Sequence, residues 1–96
     1  MTSTVLYKGE LRTECLHLNS QSQIETDAPL DNNGKGERFS PTDMLATSLA
    51  SCMLTVMGIK AKRMDLDLTD IKVEVEKLMK ADPRRVGGIK IGRAHV

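Results

Sequence analysis

Ninety-six residues allow one small domain with a thin core, and 40% apolar against 28% charged residues is the balance of a soluble globular protein. Fourteen Lys and Arg against thirteen Asp and Glu leave a net charge of +1, spread along a chain with one Phe, one Tyr and no Trp. That excludes both the basic footprint and the base-stacking platform of a nucleic-acid binder.

Val5 to Leu18 reads as extended chain with a turn near Lys8-Gly9. From Leu11 to Leu18 the residues alternate, so Arg12, Glu14, Leu16 and Leu18 share one face. Asn19-Ser20-Gln21-Ser22 is polar turn chemistry, and Gln23 to Asp27 is the returning partner of a hairpin. Asp31 to Glu37 is a loop, and its Gly34-Lys35-Gly36 lacks the spacing of a phosphate-binding loop. A helix is then predicted as far as Arg63. Ser40 caps it, Pro41 takes the first helical position, where an N–H would be unbonded anyway, and Asp43 completes a capping box. Leu45, Leu49, Cys52, Val56 and Ile59 recur at spacings of three and four, which predicts a core-facing stripe with the Cys52 thiol buried on it. Leu54, Met57 and Ala61 lie outside that stripe, so the helix needs more cover than so small a chain offers.

Met64-Asp65-Leu66-Asp67 favours a turn, and a strand follows from Asp70 to Glu76. Ile71, Val73 and Val75 are expected to face inward, with Lys72, Glu74 and Glu76 in water. Lys80 to Arg85, containing Asp82-Pro83, turns the chain into a further strand from Val86. Strand, strand, helix, strand, strand is an α+β order: an antiparallel sheet packed on a long central helix that carries the cysteine.

Phe39 to Arg63, with Thr26-Asp27-Ala28-Pro29 and Asp31-Asn32 ahead of it, resembles the OsmC/Ohr family of thiol-dependent hydroperoxide reductases, and most nearly its OsmC-like branch. The Ser-Pro-Thr-Asp…Ser-Cys helix carries the most specific part of a resemblance that runs from Tyr7 to Ile89. It implies reduction of organic hydroperoxides or hydrogen peroxide at the expense of a cellular dithiol, in oxidative-stress defence. It implies no metal or organic cofactor, and an intertwined homodimer with active sites at the interface. Cys52 is then the nucleophile. Arg12 matches the arginine that the family sets against it from the start of its fold. The better-studied branch also carries a glutamate that holds that arginine; the aligned residue here is Thr42, and the neighbouring Asp43 is accounted for by the cap. That replacement motivates a second reading, a non-catalytic dimerisation or small-ligand-binding domain with a buried Cys52.

A peroxide is cleaved by a thiolate, which becomes a sulfenic acid that another thiol must restore. Cys52 sits well inside its helix, whereas the field of a helix terminus fades within one turn, so a nearby cation is required. The alternative is packing, because free cysteine behaves as a small hydrophobe. Cys15 lies on the strand face opposite Arg12, together with His17, so it is not expected to pair with Cys52, and two such ligands are too few for zinc. Arg84-Arg85 reads as a solvated turn, and Met44, Met53 and Met57 as core filler. Met1-Thr2-Ser3-Thr4 begins no signal peptide, and no run reads as long and apolar enough to span a bilayer. Two cysteines make no disulfide scaffold, so the cytoplasm is the expected compartment.

Ile91-Gly92-Arg93-Ala94-His95-Val96 is what one reading frame of a common short-read sequencing adapter encodes. It falls where the family's chain would continue into a second half with a resolving cysteine. Residues 1–90 are therefore expected to be the N-terminal part of a single domain incomplete at its C-terminus, inactive alone, and residues 91–96 a foreign tail. Re-amplifying the source gene should give different codons after Ile89 and an open frame reaching another cysteine; recovery of the same codons and a stop would reject this.

Overall fold

Alternating side chains and a short polar turn fold the beginning of the chain into a meander. The computed structural model describes residues 1–93, and the chain forms two compact units, Met1–Met44 and Leu45–Val96. In the first unit, strands β1 (Ser3–Gly9), β2 (Arg12–His17) and β3 (Gln23–Asp27) make an antiparallel sheet in the order β1-β2-β3. The first turn falls at Glu10-Leu11, later than Lys8-Gly9, and both residues are left-handed, with φ of 56° and 63°. Two positive φ values in succession match the right-handed twist of paired strands, which explains a tight turn without glycine at its centre.

The register of β2 on β3 sets Arg12 opposite Asp27, Thr13 opposite Thr26, Glu14 opposite Glu25 and Cys15 opposite Ile24. Two glutamates directly opposite repel. Each is given its own cation: Lys8 Nζ lies 3.5 Å from Glu14, and Arg38 Nε donates to Glu25 at 3.2 Å. Beyond β3 the chain makes a 3-10 turn at Leu30–Asn32 and doubles back. The Gly34 N–H donates to the Pro29 carbonyl and the Gly36 N–H to the Ala28 carbonyl. A Cβ at Gly34 would collide with the Ala28 carbonyl oxygen, so this glycine serves close backbone approach.

Helix α1 spans Pro41–Arg63, and its predicted cap is present in full. Ser40 Oγ accepts the Asp43 N–H at 3.0 Å, and Asp43 Oδ2 accepts the Ser40 N–H at 3.0 Å. The expected core-facing stripe requires correction. Leu45, Leu49, Val56 and Ile59 are exposed, and so is Cys52. The inward face is offset from it and runs through Ala46, Ala50, Leu54, Gly58 and Ala61, with the three alanines fully buried. The alanines take the buried side, and Leu45, Leu49, Val56 and Ile59 face out. By length and composition α1 is also apolar enough to cross a bilayer, contrary to the sequence reading. A core helix of a soluble protein passes the same test, and Ser48, Ser51 and Thr55 break up the exposed face of this one.

In the second unit, β4 (Val73–Lys80) and β5 (Arg85–Arg93) form an antiparallel hairpin. The strand begins later than predicted because Asp70 is left-handed, with φ of 71°, and the Ile71 N–H closes a turn on the Leu68 carbonyl. Ile71 is consequently exposed, while Val73 and Val75 are half-buried and Glu74 and Glu76 face water as expected. Arg85 Nη1 ties the hairpin tip together, donating to the Ala81 and Pro83 carbonyls at 3.1 and 2.8 Å. Ile91, Gly92 and Arg93 pair with Val75, Glu74 and Val73; Ala94, His95 and Val96 of the expected tail lie outside the described residues. The class is α+β with antiparallel strands and one long helix, the strands forming one three-stranded and one two-stranded sheet among the described residues.

Ser40→Ala should lower stability by about 1 kcal/mol through loss of the cap. Gly34→Ala should lower it by at least as much, because loop backbone has to move. Urea unfolding of both variants checks this; an unchanged midpoint for Gly34→Ala would mean the loop is not packed as described.

Candidate functional site

Strand pairing creates the best-defined polar cluster of the first unit. Because Arg12 and Asp27 are directly opposite, the guanidinium can lie flat against the carboxylate. Arg12 Nε donates to Asp27 Oδ1 at 2.7 Å and Nη2 donates to Oδ2 at 2.9 Å. Nη2 also donates to Glu37 Oε1 at 3.0 Å. Asp27 Oδ2 accepts the Glu37 backbone N–H at 3.1 Å, and the Asp27 N–H donates to the Phe39 carbonyl at 3.1 Å. The Asp27 side chain is 1% exposed, Arg12 21% and Glu37 60%. Thr26, beside Asp27, is buried and shares a hydrogen bond with Thr13.

Arg12 therefore sits among carboxylates, not among the apolar neighbours that strand alternation suggested. Asp27 and Glu37 were not singled out from the sequence as its partners. A signal existed for Asp27: once the hairpin is closed through Leu18 to Ser22, position 12 falls opposite position 27 with opposite charge. Nothing local announces Glu37, which reaches Arg12 only because the glycine loop doubles back.

Thr42 is engaged in the cap: its Oγ1 lies 3.1 Å from Ser40 Oγ. Cys52 belongs to the second unit, where its thiol is exposed on α1 between the outward-facing Leu49 and Val56. It is not the buried thiol expected from periodicity, because the inward face is the alanine face. Ser48 Oγ and Thr55 Oγ1 are turned back onto the Leu45 and Ser51 carbonyls at 2.7 and 2.9 Å. Cys15 is half-buried at mid-strand, and the exposed His17 Nδ1 lies 2.6 Å from Ser20 Oγ in the following turn. Among the described residues no three His, Cys, Asp or Glu side chains converge as a metal site. Lys35 of the glycine loop pairs with Glu10 at 2.6 Å, which ties the loop to the first turn.

Residues 34–95 match the model of a family described as OsmC-like protein. A crystal structure from Psychrobacter arcticus 273-4, of a protein named as a candidate osmotic stress induced and detoxification response protein, is similar at 60% identity with a TM-score of 0.92. The match covers 95% of this chain and 66% of that one, so this chain spans just under two thirds of its relative's length. No curated protein matches.

The Arg12 guanidinium holds the Asp27 carboxyl below its usual range, outweighing burial, which acts the other way; the Glu37 N–H adds to the lowering. Asp27 in turn keeps Arg12 protonated beyond its already high value. A carboxyl depressed on folding contributes stability that is present above its unfolded pKa, about 3.9, and lost as pH falls through the folded value. Arg12 stays charged across that window and adds no slope of its own. Acid titration of the protein should therefore show stability falling below about pH 4. Asp27→Asn should lower stability at neutral pH and flatten that acid limb. An acid limb identical in the variant would show that this pair does not contribute it.

Proposed function

Since this chain belongs to the OsmC-like protein family, we propose that the full-length protein serves in stress defence by reducing peroxides through the Cys52 thiolate, with Arg12 as the cation that stabilises it. The observation that carries this reading is Cys52, exposed within this chain, on a helix whose Ser40-Pro41-Thr42-Asp43 start belongs to the segment that carries the family resemblance. The name of the Psychrobacter arcticus relative supports the stress-defence part.

In the proposed reaction, the Cys52 sulfur attacks one peroxide oxygen and an S–O bond forms as the O–O bond breaks. The departing alkoxide takes a proton and leaves as alcohol, or as water when the substrate is hydrogen peroxide. The sulfur is oxidised by two electrons to a sulfenic acid. By resemblance, a resolving cysteine condenses with it, releasing water and leaving a disulfide; the reductant dithiol then reduces that disulfide by exchange and leaves oxidised. Cys52 is the nucleophile of these steps and Arg12 the cation that favours its thiolate. Cys52 does not fill a core within this chain, and in the proposed homodimer it lies at the interface, where the resemblance sets the active site.

The non-catalytic reading drew on the missing glutamate at Thr42. Arg12 nonetheless has two carboxylate partners, Asp27 and Glu37, which weakens that motive. The proposed compartment is the cytoplasm. The proposed assembly is a homodimer that covers the outward Leu45, Leu49, Val56 and Ile59 of α1, a row of apolar side chains that a soluble protein seldom leaves in water.

In the full-length protein, Cys52→Ser should abolish peroxide consumption with the fold intact, and Cys15→Ser should change little. Arg12→Ala should raise the pH at which Cys52 is alkylated. Undiminished turnover by Cys52→Ser would favour the binding-domain reading instead. Sedimentation at micromolar concentration should give a dimer, and a charge introduced by Val56→Glu should dissociate it; a stable monomer would reject the assembly.

A further inference from the structure

The two carboxylates that bind Arg12 do so in unlike ways. Asp27 is buried, holds the guanidinium by two parallel bonds, and is itself fixed by the Glu37 N–H and by its own N–H on Phe39. Glu37 makes one bond to Nη2 from a side chain that is mostly in water. Exposed single contacts of this kind are weak, whereas a buried bidentate pair is broken only at the expense of an uncompensated charge. The Glu37 backbone is meanwhile anchored by Asp27 Oδ2 and by the folded-back glycine loop. Its carboxylate can therefore leave Arg12 by side-chain rotation alone, without movement of the loop.

Charge adds to the asymmetry. One guanidinium facing two carboxylates leaves the cluster with a net charge of −1, which cannot favour a thiolate. The other charged groups around it are mutually paired, Glu25 with Arg38 and Glu10 with Lys35, so they supply no spare cation.

We infer that Asp27 and Glu37 are positioning residues with opposite effects: Asp27 fixes the Arg12 guanidinium in place, and Glu37 is a releasable latch that occupies its Nη2 and must let go before Arg12 can support a thiolate. This rests on the reading of Arg12 as the activator of Cys52. It adds that the resting protein holds its arginine in an overcompensated state. Rotation of Glu37 into water restores a free N–H on Nη2 and removes one negative charge from the cluster.

The test is the pH profile of Cys52 alkylation by iodoacetamide in the full-length protein, in a Cys15→Ser background, followed on the Cys52 peptide by mass spectrometry. Glu37→Gln keeps the side-chain volume and removes the charge. It should move the alkylation midpoint down by about half a pH unit or more. Combined with Arg12→Ala, Glu37→Gln should have no effect, a dependence that a merely structural role for Glu37 would not produce. Asp27→Glu should preserve part of the wild-type profile, while Asp27→Ala should bring it towards that of Arg12→Ala. A profile unchanged by Glu37→Gln, while Arg12→Ala still shifts it, would overturn the latch and leave the activator reading standing. If Arg12→Ala itself shifts nothing, the activator reading fails and the latch with it.

Discussion

A buried carboxylate that must be neutralised organises the first unit. Asp27 at the end of β3 is almost without solvent, and an ion in that position is tolerable only if paired and hydrogen-bonded. Arg12 provides the charge from the facing strand, and the Glu37 N–H provides a further bond from the returning loop. The Asp27 N–H reaches the Phe39 carbonyl one residue before the Ser40 cap, so the same residue fixes the path of the chain into α1. Removing either side chain would leave the other charged and poorly satisfied. Strand register, loop closure and helix start are thus linked through one ion pair.

The loop between β3 and α1 follows from that constraint. For Glu37 to present its N–H to Asp27, the backbone has to fold back over Ala28, and only glycine fits at position 34. The glycine-lysine-glycine segment is therefore explained by packing and by the Lys35–Glu10 pair. Its lysine holds down the first turn, a role for which no phosphate is needed.

The long helix poses the opposite problem. Its inward side is lined by alanine and glycine, and its bulky apolar side chains, with Cys52 among them, look outward. Burying a leucine- or valine-sized side chain contributes about 1.5–3 kcal/mol, so a row of four left in water is a large stabilisation not taken up within this chain. That imbalance is what the proposed dimer would relieve.

Much of this was legible in the residues themselves. Ser40, Pro41 and Asp43 specify a helix start through bonds made within a few residues, and alternation from Leu11 to Leu18 specifies a strand, because both depend on local geometry alone. The Ser-Pro-Thr-Asp…Ser-Cys segment was enough to indicate the family, and Cys52 and Arg12 were its natural candidates. Periodicity, however, says only that a helix has an apolar side. It could not tell that the alanines would take the buried face while Leu45, Leu49, Cys52, Val56 and Ile59 faced out. Nor could it place Ile71 beyond the strand, since the left-handed backbone at Asp70 is not an alternation signal. The partners of Arg12 lie fifteen and twenty-five residues away, brought to it by hairpin register and by a loop folding back on itself. Sequence determined the elements, the cap and the family, because short-range bonds and patterns encode them; tertiary structure alone decided which side of α1 is buried and which carboxylates hold Arg12, because those depend on distant segments meeting in space.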